Sequence, residues 1–189
     1  MKNDFLAKVI EKLEMAFVPY MVVGSVAGSY YGISRSTIDI DIVISPDPAQ
    51  LEHLTSLLKA EDFYLDPLFA QEALKNRSMF NLMDAQSKWK VDFIIQKYNL
   101  YHRKAFERRI QAKVQGVPLF ISTVEDIVIS KLDWSRLGGS LRQLEDVAGI
   151  LKLQHTKMDA EYLKEWIYLL DLSKEWNETL KMAMISFPH

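Results

Sequence analysis

The seven residues Ile38-Asp39-Ile40-Asp41-Ile42-Val43-Ile44 constrain the fold more than any other stretch of the chain. Isoleucine at every second position has the period of a β-strand whose two faces meet different surroundings. The isoleucines belong to one face and have to be covered by other elements. Asp39 and Asp41 belong to the other face, with Cβ atoms about 6–7 Å apart. Acids are depleted from strands, and two carboxylates held so close repel each other unless a cation lies between them. The rest of the chain has to supply a covering layer on one side and a use for the acids on the other.

The covering layer is affordable in residues: the chain has 189, of which 49% are hydrophobic and 25% charged. That is one domain, or a small domain with a helical appendage, and it excludes disorder as the main state. There is no cysteine, so disulfides, thiolate metal sites and cysteine nucleophiles are excluded and any chemistry runs on carboxylates, hydroxyls, His, Lys and Arg. With 23 basic residues against 25 acidic, no global charge draws the protein to nucleic acid or an acidic membrane. No apolar run approaches the roughly 20 residues of a membrane span, and the residues after Met1 lead into an amphipathic pattern rather than a secretory core. A cytoplasmic protein without a membrane partner is expected.

Apolar residues recur at helical spacing from Phe5 to Ala16, and Tyr20 to Val23 form a short strand closed by Gly24. Ser25 is placed to cap a short helix that ends at Gly32. Asp47 and Pro48 open a helix to about residue 60. Short strands are expected at 63–65, 78–83 and 89–95, the last two as a hairpin, followed by a basic helix over 99–109 and strands at 110–115 and 117–121. From Ser122 onward only helices are expected. The first opens at Ser122 with Glu125 completing a capping box, the second opens at Ser140, and two more lie near 159–170 and 173–185. The chain therefore reads as an α/β core over 1–121 and a helical region over 122–189 packed on that core.

Gly24-Ser25 at a strand-to-helix turn complements the acids. Glycine lets a phosphate approach the backbone, the first helical turn points amides at it, and the serine hydroxyl donates one more hydrogen bond. Thirteen residues separate Ser25 from Asp39. Hard oxygen ligands spaced like Asp39 and Asp41 suit Mg²⁺ or Mn²⁺ where substrate phosphates complete the coordination, and such ions serve in-line phosphoryl displacement.

On these residues the sequence resembles the nucleotidyltransferase superfamily that includes DNA polymerase β, the kanamycin-type antibiotic nucleotidyltransferases and the AbiEii-like toxins. The shared pattern is a hydrophobic residue, Gly-Gly or Gly-Ser, a short interval, then alternating hydrophobic residues and two Asp. Gly24, Ser25, Asp39 and Asp41 match it. Arg35 and Thr37 fit the Arg-x-Thr-x-Asp-x-Asp run of small stand-alone members. The resemblance implies a mixed β-sheet flanked by helices with a C-terminal helical bundle. It also implies a third carboxylate on a later, adjacent strand, for which Asp92 in Lys90-Val-Asp-Phe-Ile-Ile is the candidate. More loosely, it implies that Lys131, Arg142 and Asp146 face the nucleotide. The implied activity is transfer of a nucleoside monophosphate from an NTP to a hydroxyl, with Mg²⁺ or Mn²⁺ at Asp39, Asp41 and Asp92. The implied acceptor is tRNA or a protein, and a cognate partner of the toxin–antitoxin kind belongs to the same picture. An antibiotic acceptor of aminoglycoside or lincosamide type is the alternative, as is a nucleotide- or partner-binding module that has lost turnover.

Each group also has a plainer reading. Asp39 and Asp41 fit the wet face of an edge strand, and Lys90 can form an ion pair with Asp92. Arg35 and Thr37 fit an ordinary turn. Lys131 is favoured near the end of its helix by the macrodipole. Arg142 and Asp146, four apart, fit a surface pair on one helix. The five basic residues between His102 and Arg109 are either a solvated face or the surface that meets a polyanionic acceptor. Trp134, Trp166, Tyr168 and Trp176 are expected to pack between helices.

Overall fold

The computed structural model describes residues 2–33, 39–61, 63–85 and 89–186. Arg35 and Thr37 lie outside the described residues. The chain forms two compact units, Met1–Val26 with Ser36–Ser122 and Ala27–Arg35 with Thr123–His189.

The first unit is built on a sheet. It contains helices α1 (Lys2–Met15), α3 (Pro48–Lys59), α4 (Pro67–Asn76) and α5 (Leu100–Glu107), and the first turn of α2 (Gly24–Tyr30). Its strands are β1 (Tyr20–Val23), β2 (Asp39–Ile44), β3 (Phe63–Tyr64), β4 (Met79–Asp84), β5 (Lys90–Ile95), β6 (Ile110–Val114) and β7 (Val117–Ile121). Among the described residues these form one sheet in the order β3-β4-β5-β2-β1-β7-β6. The sheet is mixed: β2 pairs antiparallel with β1 and parallel with β5, and β1 pairs parallel with β7. The α/β class expected from the sequence is therefore the observed one.

The alternation in β2 has the predicted consequence. Ile40, Ile42 and Ile44 are fully buried, as are Val91 and Phe93 on β5, Leu82 on β4 and Val22 on β1. These positions share one face through the strand register, and their removal from water is the main stabilising term of the unit. On α1, Phe5, Leu6, Val9, Ile10 and Leu13 are buried, and Phe5 meets Phe63 edge-on at 5.3 Å between ring centres. Asp47 opens α3 with a complete capping box. Its side chain accepts the Gln50 N–H at 2.8 Å, and its own N–H donates to Gln50 Oε1 at 2.9 Å.

The second unit is helical. It holds the remainder of α2, then α6 (Val124–Gly138), α7 (Leu141–Gln154), a 3-10 turn at His155–Lys157, α8 (Ala160–Leu169) and α9 (Ser173–Ala183). Ile127, Val128, Leu132, Val147, Ile150, Leu151, Leu163 and Ile167 form its core.

Three local expectations need correction. Helix α4 is absent from the pattern reading, although Asp66 caps it by accepting the Leu68 N–H at 2.9 Å and Pro67 opens it. Helix α6 starts one residue later than the Ser122 capping box implies. Thr123 is the cap, with its hydroxyl bonded to Asp126, while Glu125 instead accepts the Asp159 N–H at 3.0 Å. Of the aromatic stripe only Trp166 is buried; Trp134 and Tyr168 are exposed.

Removing the α3 cap with Asp47→Ala should cost about 1 kcal/mol and lower the melting temperature by about 2–4 °C. Paired urea and thermal melts of the variant and the parent protein check this.

Candidate active site

The site grows from the end of β1. Val23 is the register partner of Asp41, and the next residue, Gly24, turns the chain into α2 with φ +63°. A side chain there would be strained by that dihedral alone. It would also have no room. A Cβ at Gly24 would run into the Asp41 carboxylate, lying 3.0 Å from its Cγ and 3.3 Å from its Cβ. The requirement for glycine thus comes from Asp41 as much as from any incoming phosphate. Ser25 follows, half-buried, in the first turn of α2.

Asp41 is in turn the register partner of Asp92 on the parallel strand β5, and Asp39 is the partner of Lys90. Register partners on adjacent strands lie about 4.7–4.9 Å apart with side chains on one face. The structure therefore brings Gly24, Asp39, Asp41 and Asp92 together on the face of the sheet opposite the isoleucines. Asp92 is buried, while Asp39 and Asp41 are half-buried.

Two further residues join them. Asn81, opposite Asp92 across the β4–β5 pairing, donates its side-chain amide to Asp92 Oδ1. The Lys90 ammonium lies 3.0 Å from Asp92 Oδ2 and 3.6 Å from Asp39 Oδ1. It does form the ion pair that sequence suggested, and it reaches two acids rather than one. The hydrogen bond that the Lys90 ammonium donates to Asp92 holds it above its usual pKa, with burial opposing and the charges of Asp92 and Asp39 reinforcing. Asn81 is the residue that sequence reasoning missed. Its signal is the hairpin register, which places a polar residue flanked by apolar ones directly across from Asp92.

Among the described residues no cluster of three or more His, Asp or Glu side chains stands arranged as a metal cage. The donor chemistry still fits a hard divalent cation. Carboxylates on one sheet face, close enough to draw a lysine ammonium between two of them, carry the charge and oxygen ligands that such an ion requires.

In the helical unit, Lys131 on α6 and Asp146 on α7 are both buried. Lys131 Nζ lies 2.8 Å from Asp146 Oδ2 and 3.0 Å from Gln143 Oε1. The pairing partner of Asp146 is thus a residue of the neighbouring helix, in place of the surface pair with Arg142 that the spacing suggested. Arg142 is exposed.

No protein-family model matches the sequence, and no curated protein matches it. Solved structures do. The solution structure of the antibiotic-resistance factor ANT(2'')-Ia is similar over 94% of this chain and 95% of that one, at 11% identity and a TM-score of 0.61. ANT(2'')-Ia in complex with adenylyl-2''-tobramycin is similar over 94% and 98%, at 11% identity and a TM-score of 0.57. An antigenic nucleotidyltransferase-like protein from Paracoccidioides brasiliensis is similar over 94% and 91%, at 18% identity and a TM-score of 0.54. At these identities the likeness establishes the fold, which is that of the nucleotidyltransferases.

Replacing Lys131 with Met should take the ammonium away from the buried Asp146 carboxylate and destabilise the protein by about 3–5 kcal/mol. The double replacement Lys131→Met with Asp146→Leu should recover most of that loss. Urea unfolding of the three proteins provides the measurement.

Proposed function

We propose that the protein is a metal-dependent nucleotidyltransferase that moves a nucleoside monophosphate from an NTP to a hydroxyl acceptor and releases pyrophosphate. One observation carries this reading: the Gly24 turn is packed against Asp41, whose register partner is Asp92. An NTP phosphate bonded to the first-turn amides and the Ser25 hydroxyl would lie beside that carboxylate. Two negative groups at such range need a cation between them.

Asp39, Asp41 and Asp92 would hold Mg²⁺ or Mn²⁺, which when bound supplies charge neutralisation and Lewis acidity for in-line displacement at phosphorus. The chain's own residues do the rest. Gly24 and Ser25 fix the β- and γ-phosphates, so that the α-phosphorus faces the acidic strands. Asn81 orients the Asp92 carboxylate, which is placed to take the proton from the attacking hydroxyl. The new bond joins the acceptor oxygen to the α-phosphorus; the bond to the bridging oxygen breaks, and its electron pair leaves with pyrophosphate. Lys90 balances the acids when the phosphates are absent. Arg35, Thr37, Lys131, Arg142 and Asp146 are assigned to nucleotide binding on the resemblance of the motif, the last three from the helical region 122–189. Catalysis of this type is positioning and electrostatic stabilisation.

An RNA or protein hydroxyl is the first acceptor to test. A small antibiotic is the second, favoured by the likeness in fold and length to ANT(2'')-Ia, which has been solved with adenylyl-2''-tobramycin. Purified protein supplied with Mg²⁺ and each α-labelled NTP, and offered total RNA or aminoglycosides, should label one acceptor class. Asp39→Asn and Asp41→Asn should each lower the rate by at least about 100-fold, and EDTA should abolish labelling. Undiminished labelling by the Asn variants contradicts the assignment of the acids.

A further inference from the structure

The chain carries a net charge of −2, yet residues 75–77 and 96–109 together hold seven basic side chains and one acidic one, Glu107. The structure gathers these segments in the first unit. The Ile95 N–H donates to Ser78 O at 2.9 Å, and Arg77 Nη1 donates to the Gln96 carbonyl at 2.7 Å. The α4–β4 turn therefore lies beside the β5–α5 turn. The same contact sets the Arg77 guanidinium over the Tyr98 ring, its Cζ 3.2 Å from the ring centre. Tyr98 is nevertheless 72% exposed, so one ring face backs onto a fixed cation while the rest meets solvent.

The basic run in α5 is split by its packing. Arg109 turns inward over the Phe106 and Phe120 rings, at 4.4 and 5.3 Å. Tyr101, Ala105 and Phe106 form the buried stripe, while Leu100, Arg103, Lys104 and Glu107 form the exposed one. Lys75 and Lys97 are exposed as well. What remains in water is an open aromatic ring with its own stacked arginine, bordered by lysine and arginine side chains free to reach phosphates. Every nucleobase offers a π-face, and a stacked base is stabilised whatever its sequence, provided it has been freed from a duplex. A solvated helical face alone would explain Arg103 and Lys104. It does not explain an exposed tyrosine pinned beneath a guanidinium.

We propose that this surface binds single-stranded nucleic acid, with a base stacked on Tyr98 and the backbone tracking Lys97, Arg103 and Lys104. As the identity of the acceptor, this rests on the transferase reading above. Gln96, the residue that anchors Arg77, follows Asp92 by four residues and lies just past the end of β5, about 13 Å on at the rise of a strand. Ile94 and its register partner Met79 lie between them. Tyr98 lies beyond the C-terminal end of β5 and the acids lie towards its N-terminal end, so a strand bound at Tyr98 reaches the acids by running along this face of the sheet.

Fluorescence anisotropy with labelled single-stranded RNA, single-stranded DNA and duplex RNA, in the absence of nucleotide and Mg²⁺, tests the surface independently of turnover. Single strands should bind, duplex should bind more weakly, and Tyr98→Ala should raise the Kd about tenfold while Tyr98→Phe restores it. Because Tyr98 is exposed, its replacement should leave the melting temperature unchanged. The pair Arg103→Ala with Lys104→Ala should flatten the salt dependence by about 1.4 log units per log unit of salt, at about 0.7 per phosphate contact. No binding at low salt overturns the proposal. So does an affinity indifferent to Tyr98, or equal binding to heparin and to acidic vesicles. Binding as expected without transfer to any acceptor would leave this surface standing and remove the transferase reading; transfer without Tyr98-dependent binding would do the reverse.

Discussion

The contact on which the site depends is the nesting of the Asp41 carboxylate against the bare Cα of Gly24. It joins two demands that sequence alone presents separately. One is a glycine at a strand-to-helix turn, which is commonly explained by backbone freedom or by a ligand's approach. The other is an acid in the middle of an isoleucine-rich strand. Because the side chain of one occupies the space that the other leaves empty, the turn and the acidic strand are fixed in a single geometry. The parallel pairing of β2 with β5 then sets Asp92 beside Asp41 without any further device.

Concentrating acids on one sheet face carries an electrostatic cost, and the chain offsets it with neighbours in the same ladder. Lys90 is drawn towards Asp92 and Asp39, and Asn81 satisfies the remaining oxygen of Asp92. These partners are supplied from β4 and β5 by the same alternation that buries Leu82, Val91 and Phe93 on the opposite face. One register thus produces both the core and the polar site, so a slip of one residue would destroy the two together. The Lys131–Asp146 pair of the helical unit follows a different rule. It is buried between helices, where removing either member takes the opposite charge away from the other.

Much of this was legible in the residues. Strand β2 announces itself by strict alternation, and Asp92 stands out as a lone acid in an apolar run. The turn at Gly24 is marked by its place between a short strand and a helix. What was hidden depends on pairing across the chain. The bond from Asn81 needs the register of β4 on β5, and Lys131 finds Asp146 fifteen residues away on another helix. Helix α4 escaped notice for a local reason. It buries only Ala70 and Ala73, while Leu68 and Phe69 face water, so its apolar period is misleading and only the Asp66-Pro67 start betrays it. The aromatic stripe misled in the opposite way, since Trp134 stands seven residues from the buried Ile127 yet remains in solvent, as does Tyr168 next to the buried Ile167.

The central claim is that the acids of β2 and β5 form the seat of a divalent cation beside a bound triphosphate. Anomalous diffraction from crystals grown with Mn²⁺ and a non-hydrolysable NTP analogue tests it most directly. The account predicts manganese density touching Asp39, Asp41 and Asp92, with the β- and γ-phosphates against Gly24-Ser25 and the Lys90 ammonium displaced from the acids. Nucleotide bound elsewhere, or bound at Gly24 with Lys90 still between the carboxylates and no manganese there, would contradict it.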